Sequence, residues 1–173
     1  MKNILFTAVI ALSLFSCQQQ KIGFVNNGTI INDYQEKKDV EAKFQKKEEA
    51  FRKRADSISQ AFQLEAQSTQ TEAQKLAQTN NRKKAEELMT GLQQKQQMLQ
   101  QQMQFEQSQI TQEFQAEIDT LIVKVKDYVK DYGKKNGYTY ILGTSDAAAS
   151  VMYGADENDL TQTVLEALNN AYE

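Results

Sequence analysis

The fold is decided by residues 85–132, which read AEELMTGLQQKQQMLQQQMQFEQSQITQEFQAEIDTLIVKVKDYVKDY. Apolar side chains recur there in steps of three, four or seven residues, the spacing of one face of an α-helix. This stripe consists of Ala85, Leu88, Leu92, Leu99, Met103, Ile110, Phe114, Ile118, Leu121, Val125, Tyr128 and Tyr132. We therefore predict one long helix whose apolar face packs against a partner.

A similar stripe lies in residues 33–78. It consists of Val40, Phe44, Phe51, Ala55, Ile58, Phe62, Ala66, Thr69, Ala73 and Leu76. The two stripes flank residues 79–81, a polar Thr-Asn-Asn segment that favours a turn. We predict a helical hairpin arm over residues 33–132 with its tip near 79–81, the alternative being a continuous helix through that point. Each arm helix would be about 70 Å long at about 1.5 Å per residue.

The composition of the 173 residues argues against catalysis. The chain contains no histidine and a single cysteine, Cys17, so the commonest general base and any thiol pair are missing. Phosphate-binding loops and nucleophile motifs are also absent from the sequence. We predict that the protein is not an enzyme and has no catalytic residues, no metal site and no cofactor. The lack of proline favours long uninterrupted helices.

The two ends of the chain predict a small β-rich body. Residues 21–25, 138–142 and 150–153 have the pattern of short strands, and an Asn-Asn-Gly turn follows the first of them. Gly133 and Gly137 are expected to end the second arm helix. Asp159 and Gln162 resemble a capping box that opens a final helix. Its predicted buried face is Leu160, Val164, Leu165 and Leu168. Three short strands and one helix make a small core, so two or three copies are expected to share one sheet.

The N-terminus has the features of an export signal. Lys2 precedes a short apolar run, and residues 14–17 read Leu-Phe-Ser-Cys, which resembles a bacterial lipobox. We predict a lipoprotein signal peptide at residues 1–16 and lipidation of Cys17, the alternative being a free cysteine in a secreted protein. Because Gln18 is not the aspartate that commonly retains lipoproteins in the inner membrane, the expected location is the periplasm, at the inner face of the outer membrane.

The order of parts resembles a known family. A Lys-Ile-Gly-Phe-Val strand at residues 21–25 opens the mature chain, a two-helix excursion follows, and residues 137–142 read Gly-Tyr-Thr-Tyr-Ile-Leu before a closing Asp-Leu-Thr at 159–161. This arrangement resembles the Skp/OmpH family of periplasmic chaperones. The resemblance implies an α+β homotrimer in which residues 17–32 and 133–173 form a shared β-barrel body. It also implies that the hairpin arms enclose a cavity for unfolded outer-membrane proteins.

Two surface features of the arms are candidate binding sites. Eighteen glutamines lie between residues 60 and 115, and Leu64, Met98 and Phe105 interrupt this neutral polar surface. Scattered flexible apolar groups of this kind suit weak contacts with many unfolded sequences. The second feature is a pair of basic clusters, formed by Arg52, Lys53, Arg54, Arg82, Lys83 and Lys84. These cations could meet acidic clients or anionic lipid. The alternative for both features is an ordinary solvated helix face.

Two further sites and two functions follow from the sequence. Ser57 and Thr120 lie in acidic-hydroxyl-apolar tripeptides that resemble bacterial O-glycosylation sites. Nucleic acid is not expected as a partner, because the protein is exported and lacks a basic stripe interleaved with aromatic residues.

The first functional hypothesis is an ATP-independent holdase for unfolded outer-membrane proteins. The second is a lipid-anchored coiled-coil adaptor that bridges components of the cell envelope.

Overall fold

A computed structural model describes residues 20–145 and 150–172. The predicted signal peptide and Cys17 lie outside the described residues. The described elements run in the order β1 (Ile22–Asn26), α1 (Asn27–Asp33), α2 (Gln35–Gln78), α3 (Arg82–Lys135), β2 (Tyr140–Thr144), a 3-10 turn (Asp156–Asn158) and α4 (Thr161–Tyr172). No helix in this part of the chain is long and apolar enough to cross a membrane. The chain divides into two compact units, a hairpin unit (residues 37–121) and a body unit that takes in the two ends.

The hairpin unit is built from α2 and α3, which pack along the two predicted stripes. Every stripe residue within residues 37–121 is buried or half-buried, whereas most positions between them are exposed. Phe44 of α2 and Phe114 of α3 make an edge-to-face ring contact with centroids 5.3 Å apart. Such aromatic pairs add stabilisation beyond the area that they bury. The two helices have no second layer against them within this unit, so the stripe is the whole core.

Residues 79–81 connect the two helices. The backbone N–H of Thr79 donates to the carbonyl of Lys75, and the N–H of Asn81 donates to that of Leu76. Asn80 has a φ of 65°, in the left-handed region that asparagine tolerates better than most residues. The carbonyls at the end of α2 are therefore satisfied by a tight turn, and a single continuous helix does not form.

The body unit contains a two-stranded parallel sheet within the described residues. Ile22 pairs with Tyr140 and Asn26 pairs with Thr144 at the two ends of the register. The Asn26 side chain accepts from the N–H of Thr29 and so caps α1. The body core is apolar and comes from β1, α1, α3 and α4 and from Tyr34 and Leu160 in the connections. It contains Val25, Ile30, Tyr34, Val125, Leu160, Val164, Leu165 and Leu168. The predicted buried face of the final helix is thus confirmed.

Three local predictions are wrong. Residues 150–153 form no strand, because they pair with no strand of the described chain, and the side chains of Met152 and Tyr153 are 90% and 89% exposed. The predicted turn at residues 26–28 is instead the start of α1, since Asn26 acts as a helix cap. Gly133 does not end α3. It lies inside the helix, where the absence of a side chain lets Ile141 approach closely, and the left-handed residue after the helix is Gly137.

Two glycines predict opposite effects on stability. In Gly23→Ala, the new Cβ would lie 2.5 Å from Leu160 Cδ1 and 3.1 Å from Tyr138, so the buried core must shift. We expect the free energy of unfolding to fall by about 1–3 kcal/mol, as for other overpacked cores. In Gly91→Ala, nothing lies within 4 Å of the new Cβ. Because alanine favours the helix, we expect a gain of about 0.5–1 kcal/mol. Urea unfolding followed by circular dichroism measures both, and equal effects would contradict the packing described for Gly23.

Candidate functional site: the surface of the helical hairpin

One edge of the hairpin is closed by ion pairs between its helices. Lys43 Nζ lies 2.5 Å from Glu117, Lys47 Nζ lies 2.6 Å from Glu113, Arg54 pairs with Glu106, and Lys95 Nζ lies 2.5 Å from Glu65. From each pair to the next, the α2 partner lies four, seven and then eleven residues later in the chain. The α3 partner lies the same number of residues earlier. The four pairs therefore share one antiparallel register. We call this row the paired edge.

The paired edge contributes more to the alignment of α2 with α3 than to the free energy of folding. All four pairs are partly exposed, and exposed ion pairs contribute on average about 0–1 kcal/mol each. The hydrogen bond from Lys47 and its positive charge hold the pKa of Glu113 below its usual value. A slip of one residue would separate every pair at once, so their joint effect is to select a single alignment of the two helices.

The opposite edge of the hairpin is open. Three shallow apolar grooves follow one another along it, with volumes of about 220, 180 and 570 Å³. Their floors are apolar stripe residues together with Met89, which is off the stripe. The first floor is Phe44, Ile110 and Phe114, the second is Ile58, Phe62, Leu99 and Met103, and the third is Phe62, Ala66, Met89 and Leu92. We call this row the open edge. Sequence patterns did not reveal it, because a stripe does not indicate which of its two flanks will be covered.

The three predicted client-binding residues are exposed. The side chains of Leu64, Met98 and Phe105 are 69%, 59% and 65% exposed. Met98 and Phe105 are seven residues apart on α3 and share one helix face, whereas Leu64 lies on α2. None of the three lines an open-edge groove. They are apolar groups on the solvent side of the hairpin, where they add no packing to its core.

The two basic clusters differ in their surroundings. Arg52 lies 3.4 Å from Glu48 and Arg54 pairs with Glu106, so these two cations of the first cluster have carboxylate partners. Arg82, Lys83 and Lys84 form the first turn of α3 and are exposed, and none of them makes an ion pair with a described residue. Cations at a helix N-terminus are repelled by the helix dipole. The second cluster is therefore the one whose charge is available to an anion.

The two candidate glycosylation sites lie within helices. The Ser57 hydroxyl donates to the carbonyl of Lys53 and the Thr120 hydroxyl donates to that of Ala116, and both residues are exposed. Modification would require these local hydrogen bonds to break. Across the described residues, no group of three or more acidic or cysteine side chains has the arrangement of a metal site.

A polar cluster lies at the base of the long helices, within the body unit. The buried Tyr34 hydroxyl donates to Glu36 Oε2 at 2.6 Å, and Lys124 donates to the same oxygen. Burial and the neighbouring Glu36 carboxylate raise the pKa of Tyr34 far above its usual value. Burial alone would raise the pKa of Glu36, but the hydrogen bonds from Lys124 and Tyr34 outweigh it and lower that pKa. Tyr172 of α4 packs edge-on against Tyr34 with centroids 6.0 Å apart.

The Glu36 cluster predicts a pH-dependent contribution to stability. Because its pKa is lower in the folded than in the unfolded chain, the carboxylate stabilises the fold above its ordinary pKa, and this contribution is lost as the pH falls through the lowered value. We expect Glu36→Gln to lower the free energy of unfolding by about 1–2 kcal/mol at neutral pH. The difference should shrink as the pH falls through the lowered pKa of Glu36. Glu113→Gln, in an exposed pair, is the control and should change little. A Glu36→Gln deficit that persists unchanged in acid would contradict this account.

Comparison with known proteins agrees with the order of these elements. A sequence model of the family described as Outer membrane protein (OmpH-like) matches residues 21–168, from just before β1 into α4. The chain belongs to the OmpH-like family. A search of curated proteins gives no significant match. At the family level, OmpH-like proteins are periplasmic chaperones of outer-membrane proteins and are not enzymes.

Proposed function

We propose that this protein is an ATP-independent holdase of the periplasm that binds unfolded outer-membrane proteins between the helical hairpins of a homotrimer. The observation that carries the proposal is the hairpin surface. It is long, rich in uncharged glutamine, and carries isolated exposed apolar groups such as Leu64, Met98 and Phe105. Such a surface offers many weak contacts in place of one specific site. Many weak contacts acting together hold a flexible chain without fixing its conformation.

The trimer part of the proposal is supported by the sheet. Ile22, Phe24, Tyr140 and Leu142 alternate along the paired strands and share one sheet face. Ile22, Tyr140 and Leu142 are exposed in the single chain. Two strands with an apolar exposed face are too few for an independently stable sheet. Further strands from identical chains would cover this face and would complete the barrel that the family resemblance implies.

The membrane part of the proposal depends on Cys17. Residues 18–21 separate the proposed lipidated cysteine from β1, and four residues span at most about 14 Å. The body would therefore be held at the membrane surface, at the inner face of the outer membrane. Three lipid anchors in a trimer would make release negligible, although one acyl chain alone binds only marginally.

An aggregation assay tests the holdase function. A urea-unfolded outer-membrane β-barrel protein is diluted into buffer with or without the soluble mature chain, and light scattering is followed. We expect scattering to be suppressed once the proposed trimer is equimolar with the client, and to be unaffected by ATP. An adaptor protein would leave the aggregation unchanged, and that outcome would contradict the proposal.

Replacement of the three exposed apolar residues predicts weaker client binding. The triple variant Leu64→Gln, Met98→Gln and Phe105→Gln removes apolar contacts but keeps good helix formers at exposed positions. We expect suppression of aggregation to weaken while the helical circular dichroism signal stays nearly unchanged. Added salt should matter little, because these contacts are uncharged. Normal activity of the triple variant, combined with strong loss of binding in salt, would indicate instead that the basic clusters hold the client.

A further inference from the structure

The paired and open edges flank the same packed stripe but cover it differently. On α2, Lys43 and Lys47 point to the paired edge, whereas Phe44 and Glu48 line the first open-edge groove. Phe44 and Glu48 each follow a paired-edge lysine by one residue, and successive side chains of an α-helix point about 100° apart. On the paired edge, long charged side chains reach across the seam. On the open edge, Ser59, Ala66, Thr90 and Thr111 are too short to do so, and the longer glutamines and glutamates beside them leave grooves that reach the stripe. Apolar floors are therefore accessible along this edge.

The rims of the open edge are mostly uncharged. Their charged lining residues are Glu41, Glu48 and Glu86, and Glu41 and Glu48 are ion-paired with Lys37 and Arg52 one helical turn away. The other polar residues of the rims are neutral glutamine, serine and threonine. Glutamine both donates and accepts hydrogen bonds, so it can pair with either group of an exposed peptide backbone. A bound segment would meet apolar floors and neutral amide rims.

The length of the open edge suits an extended chain. Phe44 and Ala66, on the floors of the first and third grooves, are 22 residues apart on one helix, which is about 33 Å at about 1.5 Å per residue. An extended polypeptide covers this distance in about ten residues at about 3.3 Å each. Successive side chains of such a segment point to opposite sides, so alternate ones can enter the grooves. Strands of outer-membrane barrels have this length, with apolar residues at alternate positions.

From this asymmetry we infer that the open edge is a client-binding surface of the hairpin, and that it takes extended segments with apolar side chains at alternate positions. This inference rests on the proposed holdase function and adds to it a second surface and the kind of segment bound there. The grooves receive apolar side chains, and the glutamine rims bond the backbone. The paired edge serves to hold the two helices in register while the open edge is occupied.

Site-specific cross-linking of the soluble mature chain tests the inference. With Cys17→Ala in place the chain contains no cysteine, so Ser59→Cys and Thr111→Cys on the open edge can each carry a benzophenone label. The matched controls are Ala61→Cys and Gln109→Cys. They are exposed, lie two residues away, and precede Glu65 and Glu113 of the paired edge by one helical turn. They also lie within about one helical turn of Leu64 and Phe105, so they report any binding at those residues. The probe is a urea-unfolded outer-membrane β-barrel protein. We expect cross-linking from Ser59 and Thr111 to exceed cross-linking from the controls.

A second pair of variants tests whether the grooves contribute to affinity. In the combined variant Ser59→Lys and Thr111→Lys, the new side chains would lie over the grooves as those of the paired edge lie over its seam. We expect affinity for the same unfolded protein to fall about tenfold, and Ala61→Lys with Gln109→Lys to change it less than about twofold. Equal cross-linking and equal affinity losses at both edges would overturn the inference and leave the holdase function standing. Absence of any binding by the unsubstituted chain would overturn both.

Discussion

Deletion of residues 39–122, with a short flexible linker joining the ends, is expected to abolish suppression of client aggregation while leaving an oligomer. The deleted segment contains all but the first two residues of the hairpin unit, and both of its edges. The remaining chain keeps the body core of Val25, Ile30, Val164 and Leu168, and it keeps both strands. If the hairpins hold clients and the sheet holds the copies of the chain together, the deletion should abolish holdase activity without changing the oligomeric state.

The deletion is measured by two methods on the same preparation. Light scattering during dilution of the unfolded client reports holdase activity, and multi-angle light scattering after gel filtration reports the mass of the assembly. A hairpin truncated symmetrically at residues 60–100 is the control and should retain partial activity, since the groove at Phe44 remains. A deletion variant that is only monomeric would indicate that the hairpins, and not the sheet, hold the copies together.

Cys17→Ala is expected to move the protein from the membrane fraction to the soluble periplasm, or to block its maturation. Loss of the thiol removes the proposed lipid, and in a trimer it removes three anchors at once, so membrane retention should fall from nearly complete to nearly none. The purified soluble variant should keep its chaperone activity, because residue 17 precedes β1 and belongs to no part of the hairpin.

Fractionation of cells followed by a high-salt wash measures the effect of Cys17→Ala. The wash removes proteins held to the membrane by charge alone, which isolates the contribution of the lipid. Gln18→Asp is a useful companion variant, since by the sorting rule it should keep the lipid but shift the protein to the inner membrane. Persistence of the Cys17→Ala protein in washed membranes would contradict the tether.

The long helices were predictable because their signal is repeated many times. Each of the two stripes places about ten apolar residues on one helix face, so no single neighbour decides the outcome. The final helix was also predictable, because Asp159 accepts from the N–H of Thr161 near its start and Leu160, Val164 and Leu168 supply its buried face. Both features are local, and local patterns are what a sequence displays directly.

The body was harder to predict because its structure depends on distant neighbours. Residues 150–153 have the composition of a strand, but a strand needs a partner, and they pair with none in the described chain. Glycine is typical of helix ends, but at position 133 its small size serves the close approach of Ile141 from β2. Asparagine is typical of turns and also makes a good helix cap, as Asn26 does here, since both uses rest on its short polar side chain.

The open edge could not be predicted from either helix alone. Its existence depends on the register in which Lys43, Lys47 and Arg54 meet glutamates of α3, which leaves the other side of the seam uncovered. The predicted trio of Leu64, Met98 and Phe105 follows from single-helix periodicity, and its role in binding stays a prediction. The cross-linking positions on the two edges distinguish these two surfaces.

The most direct test of the holdase proposal is the mass of the complex with a client. The soluble mature chain is mixed with a urea-unfolded outer-membrane protein and the complex is weighed by native mass spectrometry. The account predicts a discrete species of three chains and one client, formed without nucleotide. A preparation that yields free chains and aggregated client, with no joint species, would contradict the proposal that this OmpH-like protein holds unfolded outer-membrane proteins.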